Sequence, residues 1–366
     1  MHLTQLRLHQ FRSYEQLTLL PPDGLTVFVG ENGAGKTNLL EAIHLCCLGR
    51  SHRTSNDRDM VRMGSRTCAV HARVARSQVT DEVGVRLFAS QGERKVIYVN
   101  GKIVPRIGEL MGHMTCVMFS PEDLDVVKGA PQARRTFLDM LLSQSQAAYF
   151  YAIQHYQAIL RQRNALLKDI ARGKSDSGML EVWDEQLAKA AVPIVIQRRD
   201  AAFAISELSA GHYAFIAGRG RERFSLRYSS SLADSMNPER DLLAALARAR
   251  EDDIRRLTTG PGPHRDDLEM TLDGQDMRSF ASQGQARTAA LAMRLSQIDI
   301  LTRAHAETPL LLLDDVLSEL DEGRQGRLLA RLDQMQTLLT CTDLQGVRNV
   351  RPACVLRVRS GTVVPG

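Results

Sequence analysis

Eight consecutive residues, Gly30, Glu31, Asn32, Gly33, Ala34, Gly35, Lys36 and Thr37, have the spacing of a phosphate-binding loop. In such a loop glycines let backbone N–H groups turn toward a β-phosphate, the lysine reaches the β and γ oxygens, and the hydroxyl faces Mg²⁺. The glycine order is not the GxGxxG of dinucleotide binders, so ATP with Mg²⁺ is the ligand this chemistry suits.

A second element, PLLLLDD from Pro309 to Asp315, is an apolar run that ends in two carboxylates. A strand of this kind delivers Asp314 to the metal ion beside the phosphates. Asp315 follows, where a carboxylate can orient or deprotonate the attacking water. Without the phosphate loop, the pair would read as a turn or a helix cap.

The third is ASQGQARTAALAMRL, in which Ser282, Gly284 and Gln285 open a helix. A serine hydroxyl, a glycine N–H and a helix N-terminus together make a second anion site. The same residues also suit an ordinary helix start. One chain has no use for two cradles around one γ-phosphate, which points to a second copy of the chain.

These residues need elements to hold them. LTVFV runs directly into the loop and NLLEAIHLCCL leaves it, the strand, loop, helix order that sets a helix N-terminus under phosphates. LRLHQF, VHARVA, EVGVRLFA and KVIYVNGKIV alternate or carry β-branched residues, so the first 120 or so positions are mostly strands. From about position 133 apolar residues recur three or four apart, which predicts one long helix to Gly173 and another from Met179 to Leu208. RFSLRYSSSL reads as a strand, and NPERDLLAALARAREDDIRRL as a helix opened by Asn237 and Pro238. LLLLDD and LLTCTD have the short apolar runs of a buried parallel sheet. The expected fold is an α/β head split in sequence: residues 1–132, a mainly helical arm over 133–258, and residues 259–366.

Composition narrows the class. The chain has 366 residues, enough for two cores, and no apolar run near the roughly 18 residues a membrane span needs. MHLTQLRLHQF alternates like a strand and lacks the apolar core of a secretory signal, so the cytoplasm is the expected location. Six cysteines without CxxC spacing signal neither a zinc site nor a disulfide framework. The formal charge is +5, and of 47 basic residues seven are lysine and 40 arginine. The guanidinium fork suits phosphate, which tilts the balance toward an anionic partner.

Phosphate loop, SQGQ, LLLLDD and SELD in this order resemble the ABC class of ATPases, in which the signature of one head closes on the ATP of another. Within the class the chain resembles the RecF family: PEDLDVVKGAPQARRTFLD (Pro121 to Asp139), GPHRDDL (Gly262 to Leu268) and LLLDDVLSELD match its patterns. HQFRSYE is similar to the family's FR-x-Y opening and makes Arg12 a candidate nucleotide contact. The resemblance implies an ABC-type head with mixed β-sheet lobes, an ATP-dependent homodimer on double-stranded or gapped DNA, slow DNA-stimulated hydrolysis, and RecR as partner in loading RecA. The alternatives are the nucleotide-binding subunit of a transporter, whose signature usually reads LSGGQ, and a chromosome scaffold, whose arm should hold hundreds of residues of heptads.

Three positions depart from the wider class. Asp315 stands where glutamate is usual, Asp343 where a phosphate-sensing histidine often lies, and FSPED where a glutamine links the lobes. For DNA the candidates are Arg53, Arg198, Arg199, and Arg219 and Arg221 in GRGRER, although such runs also serve as solvated faces.

Overall fold

In the computed structural model the described residues are 1–218, 222–344, 347 and 351–366. The chain begins with strands β1 (His2–Phe11), β2 (Tyr14–Leu19) and β3 (Leu25–Val29), then helix α1 (Lys36–Leu48). Strands β4 (Thr67–Ala75), β5 (Thr80–Phe88), β6 (Val96–Val99), β7 (Lys102–Val104) and β8 (Cys116–Phe119) follow. Next come α2 (Leu124–Lys128), α3 (Pro131–Ser145), α4 (Ala147–Ala171), α5 (Leu180–Ala217), β9 (Phe224–Ser229) and α6 (Pro238–Arg256). The last elements are β10 (Asp267–Leu272), β11 (Gln275–Asp276), α7 (Met277–Phe280), α8 (Gln283–His305), β12 (Leu310–Asp314), α9 (Glu322–Leu332), β13 (Thr337–Cys341), β14 (Cys354–Arg359) and β15 (Thr362–Pro365).

These elements form two compact units. The first comprises Met1–Asp123, Gly211–Arg221 and Gln283–Gly366, and holds two six-stranded sheets. One, ordered β2-β1-β4-β5-β6-β7, is antiparallel throughout. The other is ordered β15-β14-β3-β13-β12-β8, and its strands from β14 to β8 are parallel. All residues of β8, β12 and β13 are buried, as continuous apolar runs require when both faces of a parallel sheet are covered.

Helix α1 packs against β4 and β5 of one sheet and β12 and β13 of the other. It is buried almost all round, Leu39, Leu40, Ile43 and Leu45 completely, and each such side chain stabilises by about 1.5–3 kcal/mol. Gln336 ties the sheets further by accepting from the Leu3 amide at 2.6 Å and donating to the Leu3 carbonyl at 3.1 Å.

The second unit comprises Leu124–Ala210 and Glu222–Ser282, helices with the three-stranded sheet β11-β10-β9. The units change over after Asp123 and after Ser282, with Gly211–Arg221 in the first. Within the second unit Arg134 on α3 grips Asp267 of GPHRDDL at 2.5 and 2.9 Å. The single long helix expected to end at Gly173 is two, because extended backbone at Gln146 (φ −149°, ψ 116°) breaks it between α3 and α4. Among the described residues no helix is long and apolar enough to cross a membrane.

Candidate functional site

The four central strands of the parallel sheet end on one side, and the phosphate loop, Asp314 and Asp315 follow them there. Strand β3 delivers Gly30, β12 delivers Asp314 and Asp315, and β13 delivers Thr340 to Asp343. Ligands of open parallel sheets bind at such carboxyl ends.

The loop's glycines are required by shape. Gly33 and Gly35 have φ of +80° and +110°, a region that L side chains rarely adopt. A Cβ on Gly30 would lie 2.4 Å from the Val358 carbonyl, and one on Gly35 2.6 Å from Ser13 Oγ. Lys36 Nζ donates back to the carbonyls of Gly30 at 2.6 Å and Glu31 at 2.9 Å, so its cation sits over the loop rather than in solvent. A cavity of about 840 Å³ is lined by Glu31, Asn32 and Gly33 together with Asp343 and Arg359.

Thr37 Oγ1 donates to Asp314 Oδ1 at 2.9 Å, and Thr340 Oγ1 donates to the same oxygen at 2.7 Å. A hydroxyl and a carboxylate at this spacing form an oxygen donor set that suits a hard divalent cation such as Mg²⁺. Asp315 is half-buried in the left-handed region (φ 51°), its amide on Thr340 Oγ1 at 3.0 Å. Burial raises its pKa, helped by the negative charges of Asp314 and Asp343 and opposed by Lys36 and a hydrogen bond from Ser318. The result is a carboxylate more ready to hold a proton than an ordinary aspartate.

Arg12 lies in the tight turn between β1 and β2, at φ 51°. Its fork closes on Glu41 of α1, Nε to Oε2 at 2.8 Å and Nη2 to Oε1 at 2.6 Å, while Nη1 donates to the Asp59 carbonyl at 2.5 Å. These bonds tie Arg12 to α1 and to the segment at Asp59. Glu41 is fully buried. Burial alone would push its pKa up, but hydrogen bonds from Arg12 and Ser51 outweigh that and hold it below the usual range. Next in the turn, Ser13 Oγ accepts from Asn38 Nδ2 at 3.1 Å, and Tyr14 Oη donates to the Gly35 carbonyl at 3.0 Å. The turn thus buttresses the loop from outside.

Ser282 directly precedes α8, with Gly284 and Gln285 in its first turn. There is tight room at Gly284, where a Cβ would lie 3.3 Å from Arg324 Nη1. Asp321 of SELD caps α9 by accepting from the Arg324 amide at 2.9 Å. FSPED follows β8, which pairs with β12, so Ser120 comes beside Asp314 in the sheet order. Asp123 of that segment accepts from Arg294 of α8 at 2.6 Å.

The arginines proposed for DNA separate. Arg198 is a correction: it is buried, donating to Asp139 at 2.8 Å and to the Pro263 carbonyl at 2.7 Å, and burial keeps it from any phosphate. Arg199 is half-buried and lies 3.6 Å from Asp200. Arg53 is exposed, with Nη1 3.2 Å from Asn38 Oδ1. Arg219 and Arg221 lie outside the described residues.

Thr340, Tyr14 and Glu41 went unrecognised in the sequence. Thr340 carried a usable signal, a hydroxyl residue inside the apolar run LLTCTD. Tyr14 lay within FRSY, but nothing in that motif reveals its bond to Gly35, and Glu41 looks like any helix glutamate.

Residues 2–358 match the family described as RecF/RecN/SMC N terminal domain. The DNA replication and repair protein RecF of Symbiobacterium thermophilum is 41% identical, covering 100% of this chain and 98% of its own. That of Geobacillus kaustophilus is 38% identical over 99% of each. Solved structures of the recombination mediator protein RecF in the RecFOR pathway superpose with a TM-score of 0.92. For RecF-ATPrS the identity is 32% over 100% of this chain and 98% of that one, and for RecF-ATP 31% over 100% and 97%. The SmcHead bound to the C-winged helix domain of ScpA, at 16% identity, TM-score 0.56 and 100% and 98% coverage, shares the fold. With matches at this level running from one end of the chain to the other, the chain belongs to the RecF family.

Proposed function

We propose that the chain is an ATP-dependent DNA-binding switch that acts as a pair of copies in the repair of gapped DNA. Relatives are named DNA replication and repair proteins, and a structural neighbour is the RecF-ATP form of a recombination mediator. The observation that carries the reading is the convergence, across 277 residues of sequence, of Thr37 and Asp314 beside Lys36 and its loop.

ATP binds with its β- and γ-phosphates against the N–H groups of the loop and the Lys36 ammonium. Thr37 and Asp314 would hold Mg²⁺, which supplies neutralising charge to the phosphates. Lys36 meanwhile leaves the Gly30 and Glu31 carbonyls for the incoming oxygens. Ser282, Gly284 and Gln285 of the second copy then close on the γ-phosphate. Each charge-assisted hydrogen bond contributes roughly 1.5–3 kcal/mol, so a few of them suffice to close the pair, and they vanish when the phosphate leaves. In this reading Asp315, whose pKa burial raises, orients or deprotonates the attacking water. One methylene shorter than glutamate, it suits slow, DNA-stimulated hydrolysis.

The closed pair grips duplex DNA through arginines, Arg53 and Arg199 among them, at phosphates and without reading sequence. RecR is the protein partner and RecA loading the outcome, in the cytoplasm. A transporter subunit would not carry FRSY, PEDL and GPHRDD.

Mixing two inactive variants tests the shared site. Lys36→Ala lacks the loop cation, and Ser282→Arg puts a bulky cation where the partner's γ-phosphate belongs. A mixed pair has one site with both defects and one with neither, so ATPase activity returns on mixing. Full activity of Ser282→Arg as a monomer would refute the reading and leave Ser282 to Gln285 a helix cap.

A further inference from the structure

Lys128 ends α2, immediately after the PEDL segment. Its ammonium donates to two main-chain carbonyls at the end of α7, that of Arg278 at 3.2 Å and that of Ala281 at 2.5 Å. Helix α7 is a single turn with every end fastened. Asp276 caps its start, accepting from the Ser279 amide at 3.0 Å and the Ser279 hydroxyl at 2.7 Å. The Ala281 amide donates to the Met277 carbonyl at 3.2 Å, and Met277 is buried.

The Ala281 carbonyl and the Ser282 amide N–H belong to one planar peptide group. A cation bonded to that oxygen therefore fixes the direction in which the N–H points and the place from which the Ser282 side chain starts. It also polarises the peptide, which strengthens the N–H as a donor on the opposite side. A compact ammonium with three donors is well suited to gather two carbonyls at a helix end.

We propose that Lys128 is a positioning residue for the signature, aiming the Ser282 peptide at the γ-phosphate held by the other copy. The inference rests on the shared-site reading above and deepens it: Lys128 sits on one chain, but its effect is felt at the ATP of its partner. A lysine that merely props α2 would make no such distinction.

Lys128→Met keeps the length of the stem and removes the donors. Alone, this protein binds ATP as the parent does, because its phosphate loop is untouched, and turns it over roughly tenfold more slowly, the effect of losing one hydrogen bond to a charged group. Mixed with Lys36→Ala, it supplies a sound loop to a sound signature, and activity returns to the level of the Lys36→Ala and Ser282→Arg mixture. Mixed with Ser282→Arg, whose loop meets only the Lys128→Met signature, it stays slow. Lys128→Arg, which keeps donors at the same end of the stem, retains most turnover. Four results overturn the proposal: parental turnover by Lys128→Met, recovery with Ser282→Arg instead of Lys36→Ala, recovery with neither, or loss in Lys128→Arg equal to that in Lys128→Met. If the Lys36→Ala and Ser282→Arg mixture itself fails to recover, the shared site is wrong and the role of Lys128 falls with it.

Discussion

Arg12→Ala leaves the Glu41 carboxylate in the core without its bidentate partner. The bonds at 2.8 and 2.6 Å disappear, and what remains is the Ser51 hydroxyl at 2.5 Å and the Arg53 guanidinium at 3.8 Å. Removing one member of a buried ion pair costs about 3–5 kcal/mol. Here the Glu41 side chain is 0% exposed but that of Arg12 is 19% exposed, so water already screens one end and the loss falls to about 2–3 kcal/mol. The companion variant Glu41→Gln keeps the shape and removes the charge. The double variant should therefore lose less than the two single variants together, by about 1.5–2 kcal/mol, because neither partner is then stranded.

Urea unfolding of the four proteins at pH 7 measures this, and pH supplies a second check. Glu41 has a native pKa below its unfolded value of about 4.3, so its pair contributes stability that is complete above that pH and lost as pH falls through the lower native value. The gap between parent and Arg12→Ala is therefore wide at pH 7 and narrows below about pH 4. ATP affinity of the folded Arg12→Ala protein changes less than tenfold, since the loop itself stays intact. An unchanged urea midpoint together with an ATP affinity loss well beyond tenfold would refute the reasoning and return Arg12 to the nucleotide.

Gly35→Ala should abolish tight ATP binding in a fluorescent-nucleotide titration, since it combines a φ of +110° with a Cβ 2.6 Å from Ser13 Oγ; Gly33→Ala, strained by φ alone with nothing within 4 Å, should be milder. Arg198→Ala should destabilise by about 3–5 kcal/mol through the stranded Asp139 and Asp266 carboxylates, yet leave the slope of log K for DNA against log salt unchanged. Arg53→Ala should instead reduce that slope by about one with little loss of stability.

What the sequence determined by itself is local. A phosphate loop is a run of backbone dihedrals, so glycine at positions 33 and 35 with lysine at 36 announces it without any knowledge of the fold. An apolar run ending in Asp314 likewise announces a buried strand with a carboxylate at its tip. Helix ends were legible where a capping side chain marks them, as at Asn237, and missed at Gln146, where only the observed backbone marks the break.

The tertiary structure decided which polar groups became partners. Thr37 and Asp314 meet because β13 lies between β3 and β12 in the sheet, an order no local pattern encodes. Arg198 belongs to a paired basic cluster in sequence, yet α5 turns it inward onto Asp139, 59 residues away, while its neighbour Arg199 stays only half-buried. Successive residues on a helix point about 100° apart, so the same two letters can name a core ion pair and a surface charge. Composition counts the charge, but only packing determines whether water or a carboxylate receives it.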